Sequence, residues 1–257
     1  MLGDTDVSAY AAADPEALLL GCLDGVPAAS VLAIRHGEDF GFIGLYITRA
    51  DLRGRGYGRR MWRAAVARLE GRLFGLDAVP EQQEAYMRLG LRPFWWNVQF
   101  SGIPQPARIT LTSVELVAAT ALPFDVVAAY DREYFPVTRN AFLAEWIDMP
   151  GVQSLAALHE GRIVGFGTSR PSHGTCSRVG PLYADSSEIA SVLLRSLATM
   201  APNRAVAIDA PESNPLAKAT MEQLGLKPRG RTVRMYNGTP PTVRLSGIYG
   251  TTSLEAG

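Results

Sequence analysis

The chain has 257 residues, 47% of them hydrophobic, which is core enough for one large domain or for two of about 125 residues. Its 25 basic residues balance 25 acidic ones, so no overall field draws it to duplex nucleic acid or to a bilayer surface. No apolar run reaches the ~18 residues needed to cross a membrane, and Met1 to Tyr10 lacks the basic and apolar regions of a signal peptide, so a cytoplasmic location is expected by default. Cys22 and Cys176 show no metal spacing and no Cys-x-x-Cys, and the histidines are scattered. No metal is therefore expected, and both thiols read as ordinary buried cysteines.

In chain order, only about 30 residues precede the first strand pair, and Asp14-Pro-Glu-Ala-Leu opens a single helix among them. A two-strand meander turns at Leu23-Asp-Gly25, and Phe40 to Thr48 follows as an apolar strand. Next comes Arg53-Gly-Arg-Gly-Tyr-Gly58, and after it a helix-patterned run from Arg59 to Leu69 in which Met61, Ala65 and Leu69 share one stripe. A strand, a glycine turn and a helix together make an anion cradle. The first turn of a helix has about four N–H groups without intrahelical partners and the positive end of the dipole. Gly54, Gly56 and Gly58 let the main chain approach an oxygen cluster, while Arg53, Arg55, Arg59 and Arg60 add charge. The expected ligand carries a pyrophosphate.

Spacing separates the families of phosphate loop. A nucleoside-triphosphate loop needs Gly-x-x-x-x-Gly-Lys-Ser/Thr, but Gly54 is followed five residues later by Arg59 and no Lys-Ser/Thr pair appears. A dinucleotide fingerprint wants a small residue at 59 or 61, where Arg59 and Met61 stand, although Asp77 lies at a suitable distance for a ribose contact. A plain Arg/Gly-rich surface turn is the remaining alternative. Downstream, Arg72 to Val79 reads as a strand and Glu81 to Leu89 as a short helix capped by Gly90.

Arg53-x-x-Gly56-x-Gly58 on a strand-to-helix turn resembles the acyl-CoA pyrophosphate loop of the GNAT superfamily of acetyltransferases, and Tyr86-x-x-x-Gly-Leu91 resembles the segment that closes the GNAT active site. The resemblance implies acetyl-CoA as co-substrate and a small amine as acceptor. It implies donor contacts from Tyr46, Ile47, Thr48, Arg53, Gly54, Arg55, Gly56, Tyr57, Gly58 and Arg59, with a main-chain N–H near Tyr46 to Thr48 as oxyanion donor. It also makes Tyr86 the acid that protonates the departing thiolate; alone, Tyr86 reads equally as an amphipathic core tyrosine.

The two halves align. Gly75-Leu-Asp-Ala-Val-Pro80 matches Ala207-Ile-Asp-Ala-Pro211, Leu89-Gly-Leu-Arg-Pro93 matches Leu224-Gly-Leu-Lys-Pro228, Ile43-Gly-Leu-Tyr46 matches Val179-Gly-Pro-Leu-Tyr183, and Leu23-Asp-Gly25 matches His159-Glu-Gly161. Duplication gives an α/β chain of two tandem GNAT-like domains, each a mixed twisted sheet flanked by helices, over residues 1–103 and 108–257. The linker falls near Ser101 to Ala107, Arg108 to Val117 opens the second half, and Pro123 to Ile147 reads as two helices broken at Pro136. The second half departs from the superfamily where the chemistry belongs. Asp185-Ser-Ser-Glu-Ile-Ala190 stands opposite the glycine loop, and Met221, which has no proton to donate, stands opposite Tyr86. It therefore reads as a degenerate copy kept for packing or acceptor recognition.

Transfer to an alkyl amine of pKa ~10.4 means presenting it neutral at pH 7, a cost of roughly 4.6 kcal/mol. A carboxylate would take that proton. Relatives carry a glutamate on the strand before the loop, but residues 40–48 contain no acid. Asp77 is the first candidate because its strand splays beside the loop strand, with strand-end capping as the competing role, since Asp209 occupies the same place in the second half. Trp95 and Trp96 beside Phe94 are core or interface residues with an aromatic acceptor pocket as the alternative. The leading expectation is an acetyl-CoA-dependent N-acetyltransferase; a non-catalytic acyl-CoA binder is the alternative, a dinucleotide oxidoreductase a distant third, and a homodimer is allowed.

Overall fold

A computed structural model describes residues 3, 5–106, 114–172, 174–201 and 203–257. The first half runs α1 (Asp6–Ala13), β1 (Leu18–Leu23), β2 (Val26–His36), β3 (Phe40–Thr48), α2 (Tyr57–Arg68), β4 (Leu73–Ala78), α3 (Gln83–Arg88) and β5 (Arg92–Gly102). The second runs β6 (Glu115–Ala118), α4 (Phe124–Arg132), α5 (Asn140–Asp148), β7 (Gln153–His159), β8 (Arg162–Arg170), β9 (Ser177–Ala184), α6 (Ser187–Met200), β10 (Val206–Pro211), α7 (Pro215–Gln223), β11 (Lys227–Tyr236) and β12 (Ile248–Gly250). The repeat read from the sequence is a repeat of elements. Even the helix ends match: Gly90 and Gly225 take left-handed φ of 94° and 76°, and Leu91 N–H reaches Tyr86 O as Leu226 N–H reaches Met221 O (3.1 and 3.0 Å). Each is a glycine-terminated helix whose last carbonyls are satisfied by the chain turning back.

Strands from both halves form one mixed, twisted, open sheet in the order β1-β2-β3-β4-β11-β5-β10-β9-β8-β7-β6, with β12 beside β9. At its centre the halves exchange their last long strands. β11 pairs with β4 from Val233↔Ala78 to Tyr236↔Gly75, β5 pairs with β10 from Val206↔Gly102 to Pro211↔Asn97, and β5 and β11 pair with each other. Helices α2 and α6 cover equivalent positions in the two halves, α2 over a core of Met61, Trp62 and Ala65 with Ile43 and Leu76, α6 over Leu193, Leu194 and Leu197 with Val206 and Ile208. Of the expected linker, 101–107, residues 103–106 form an irregular stretch after β5; residue 107 and residues 108–113 of the expected opening of the second half lie outside the described residues.

Two expectations are corrected: the cysteines are not buried, Cys22 being exposed and Cys176 half-buried, and the early helix lies elsewhere. The single early helix precedes Asp14 instead of starting there: α1 ends at Ala13, and β1 has begun by Leu18. Asp14 instead accepts from the Arg35 N–H (3.0 Å) and pairs with Arg68 at the end of α2. α1 fills its space by docking on the second half, Tyr10 stacking 6.4 Å from both Phe142 and Trp146 of α5.

The carboxyl-terminal segment returns to the first half. Its Glu255 main chain lies against Gly44, where a Cβ would sit 2.6 Å from Glu255 Cα, and fully buried His36 donates from Nε2 to Ala256 O (3.1 Å). Burial, helped by the Arg139 charge, pushes the His36 imidazole down to about 3. Because the folded value lies below the ordinary ~6.5, the unfolded chain takes up the proton first, so stability falls as pH drops from ~6.5 toward ~3. Thermal unfolding followed across that window is expected to show a declining midpoint that His36→Phe flattens. An unchanged pH profile in His36→Phe counts against this source of acid lability.

Candidate active site

β3 and β4 are parallel neighbours only from Phe40↔Leu73 to Phe42↔Gly75. Beyond that β3 runs on to Thr48 and β4 to Ala78, so a gap opens between their carboxyl ends, the place where open α/β sheets bind ligands. A bulge shapes one wall. Ser30 opposes Ile47 and Leu32 opposes Gly44, leaving Leu45 and Tyr46 across from Val31 alone. Leu45 takes φ 46°, left-handed for a residue with a branched side chain, and its carbonyl accepts from Ser30 Oγ (3.2 Å). A non-glycine residue in that region costs ~1–3 kcal/mol, and such strain gathers at functional sites.

At the mouth of the gap the glycine turn feeds α2. Gly56 is its N-cap at φ 84°, no side chain caps the first turn, and no acid lies in it, so the N–H groups there face outward with the positive end of the dipole. Gly54 and Gly56 are left-handed, and a Cβ built on either meets no atom within 4 Å: the backbone requires glycine there while the space above stays open. Gly58 serves otherwise. A Cβ there would stand 2.9 Å from the Tyr46 hydroxyl and 3.1 Å from Thr48 Oγ1, so its bareness lets the helix start against β3. Arg53 folds back, Nε donating to Thr48 O (3.2 Å).

Together these walls form an open groove of about 620 Å³, lined by Tyr46, Ile47, Thr48, Leu52, Arg53, Gly54, Gly56, Gly58, Arg59, Gln82 and Tyr86. Tyr86 arrives from α3, and its ring stands 5.4 Å from Trp62, which is 5.9 Å from Tyr46. Burial, with Tyr46 beside it, pushes the Tyr86 phenol up to about 12. Arg55 is exposed and Tyr57 lies under the Arg60 guanidinium at 5.9 Å, both outside the groove lining. Leu52, Gln82 and Trp62 were not singled out from sequence; Gln82 follows Pro80 in the short turn leading into α3, where its role comes only from the fold.

The descriptions Acetyltransferase (GNAT) family and Acetyltransferase (GNAT) domain match residues 2–90 and 127–250. The chain belongs to the GNAT superfamily and carries two tandem GNAT domains. It is 28% identical over its whole length to a holothin acyltransferase from Pseudoalteromonas sp. (strain SANK 73390), covering 86% of that protein. Its fold is similar to a crystallised putative acetyltransferase from Pyrococcus horikoshii (TM-score 0.83, 20% identity, 98% of this chain and 84% of the other). It is also similar to a tandem GNAT protein from the clavulanic acid biosynthesis pathway (TM-score 0.64, 16% identity, 92% and 88%).

In the second GNAT domain the equivalent place is closed by its own side chains. Ser186 Oγ accepts from Ile189 N–H at the start of α6 (3.3 Å), Glu188 lies in the first turn, and Asp185 pairs with Arg244 (2.8 Å). Met221 is fully buried in the core under α6 and α7, and Asn214 caps α7 while donating to Ile248 O (3.1 Å).

Asp77, expected to take the amine proton, is placed otherwise. Its side chain is fully buried, and both oxygens are held by Arg234 of β11 at 2.8 Å, with Asn97 Nδ2 also donating at 2.8 Å. Burial raises the carboxyl while the Arg234 charge works against it. A carboxylate occupied in this way fastens strands instead of meeting a substrate. Asp209 repeats the arrangement with Arg178 and Gln99. The tryptophans divide: Trp95 packs against Tyr236 (5.9 Å) beside a separate aromatic cavity, and Trp96 joins the core under α2 with Arg231 over its outer face. Among the described residues no cluster of His, Cys, Asp and Glu is arranged to hold a metal, and no helix is long and apolar enough to cross a membrane.

Proposed function

We propose that the chain transfers the acetyl group of acetyl-CoA to the amine of a small molecule, with the first domain binding the donor and the second, a degenerate copy, completing the acceptor side. The observation that carries this reading is the meeting of an uncapped, glycine-built helix start with Tyr86 in one groove. The diphosphate rests on the first-turn N–H groups and the Arg53 and Arg59 charges. The pantetheine arm then follows the gap between β3 and β4, and the bulge at Leu45 and Tyr46 offers main-chain N–H to the thioester oxygen. Tyr86, protonated at neutral pH, faces the sulfur as it leaves. The related holothin acyltransferase supports acyl transfer as the chemistry.

Calorimetry with acetyl-CoA tests the cradle. Wild-type protein is expected to give a binding heat, and Gly56→Glu to weaken affinity about 10- to 100-fold, roughly 1.4–2.8 kcal/mol, since it adds a Cβ at φ 84° and a negative charge beside the phosphates. No heat with the wild type, or equal affinity in Gly56→Glu, ends the proposal. The commitment of Asp77 to Arg234 favours a second reading, a non-catalytic acyl-CoA binder; that protein would give the same heat and release no thiol with any amine.

A further inference from the structure

We propose that Glu255, brought in by the carboxyl-terminal segment of the second domain, is the catalytic carboxylate that removes the acceptor's proton at the first domain's site. The inference rests on the acyl-transfer reading above and deepens it.

β3 carries no acid, and at Gly44, one residue before the bulge, it carries no side chain at all. The vacated space is filled from outside by the Glu255 main chain, which a Cβ on Gly44 would displace. The two faces of β3 divide the work. Ile43 and Tyr46 pack on the α2 side with Met61 and Trp62, whereas Phe42 and Leu45 pack on the opposite side with Tyr10 and Ala256. The diphosphate cradle therefore belongs to one face, and Glu255 lies on the other, at the level where β3 and β4 have parted. A thioester threaded through that gap from the α2 side meets an amine and Glu255 from the tail side.

The side chain is held as a working group is held. Ser253 Oγ accepts from the Glu255 and Ala256 N–H groups (2.9 and 3.3 Å) and donates to Glu255 Oε2 (2.7 Å), with the Tyr10 hydroxyl 3.2 Å behind it. Among the described residues Oε1 takes no hydrogen bond, and Glu255 is only partly buried. Its charge is close enough to act on both Tyr10 and Asp77. Asp77, by contrast, has both oxygens on Arg234.

The step balances with these groups. Glu255 first takes a proton from the alkylammonium, which frees the nitrogen lone pair, and passes it to solvent; the amine nitrogen then bonds to the thioester carbon as Glu255 takes its next N–H proton, the one removal that a neutral arylamine also needs. The C–S bond breaks, and the sulfur takes the Tyr86 proton. Glu255 then gives its proton to solvent water and Tyr86 regains one, leaving amide and free thiol.

The test uses the full chain, acetyl-CoA, and the amines that the wild type turns over, an alkylamine and an arylamine already neutral at pH 7 among them. Glu255→Gln is expected to keep acetyl-CoA affinity within about twofold and to lower kcat about 100-fold with the alkylamine, with KM little changed. The loss is expected to be several-fold smaller with the arylamine. Gly44→Ala, which pushes the tail away, is expected to reproduce the alkylamine loss. Wild-type kcat in Glu255→Gln, or an equal loss on both amines, overturns the proposal; a wild type that binds acetyl-CoA but releases no thiol from any amine overturns the transfer reading itself.

Discussion

Tyr86→Phe is expected to lower thiol release about 10²–10⁴-fold while acetyl-CoA affinity stays within about a factor of two. The substitution keeps the ring that packs 5.4 Å from Trp62 and removes only the hydroxyl. With its phenol at about 12, Tyr86 is protonated throughout the range in which the protein would work. Full transfer to a thiolate of ordinary acidity, ~8.5, runs uphill by about 3.5 units. On the proposed reading, the hydroxyl acts first as a hydrogen-bond donor to the sulfur, and the proton crosses as the C–S bond completes its break. Single-turnover kinetics beside calorimetry separate the alternatives: a variant with normal kcat and weakened acetyl-CoA binding would make Tyr86 part of the wall and nothing more.

Asp77→Ala is expected to destabilise the fold by about 3–5 kcal/mol, because it leaves the Arg234 guanidinium buried without its counter-charge. Replacing both partners, Asp77→Leu with Arg234→Met, is expected to recover part of that loss, since the buried charge leaves with its counter-charge while Asn97 Nδ2 and the Tyr236 hydroxyl lose a partner. Urea titration of the three proteins measures this directly. The outcome also decides the role of Asp77. Wild-type stability with turnover abolished would make it the base after all and would set it against Glu255.

Several elements were legible in the sequence because their causes are local. The strand at Phe40 to Thr48, the helix after the glycine turn, and the paired helices around Pro136 follow from apolar period and from where proline and glycine are permitted. The repeat was legible at Leu89-Gly-Leu and Leu224-Gly-Leu because each glycine performs the same helix-ending turn. Most of the residues that line the groove lie in one run, with Tyr86 added, so their proximity has a local cause. What was not legible depends on distance along the chain. The partner of Asp77 lies 157 residues away, and no propensity of either residue announces it. The bulge is marked by a leucine, not by the glycine that usually signals left-handed backbone. The seat of the tail on Gly44 shows in sequence only as a glycine in a strand, which has several meanings.

The traded strands bear on why both copies of a duplicated domain persist. The floor beside the first domain's gap is β11, which belongs to the second domain's stretch of chain, while β5 of the first completes the second. Pruning the second copy would strip the first of its inner neighbour and bare the polar edge of β4. Each duplicate has thus become part of the other's scaffolding, so descent can erase chemistry from one of them but cannot discard its backbone.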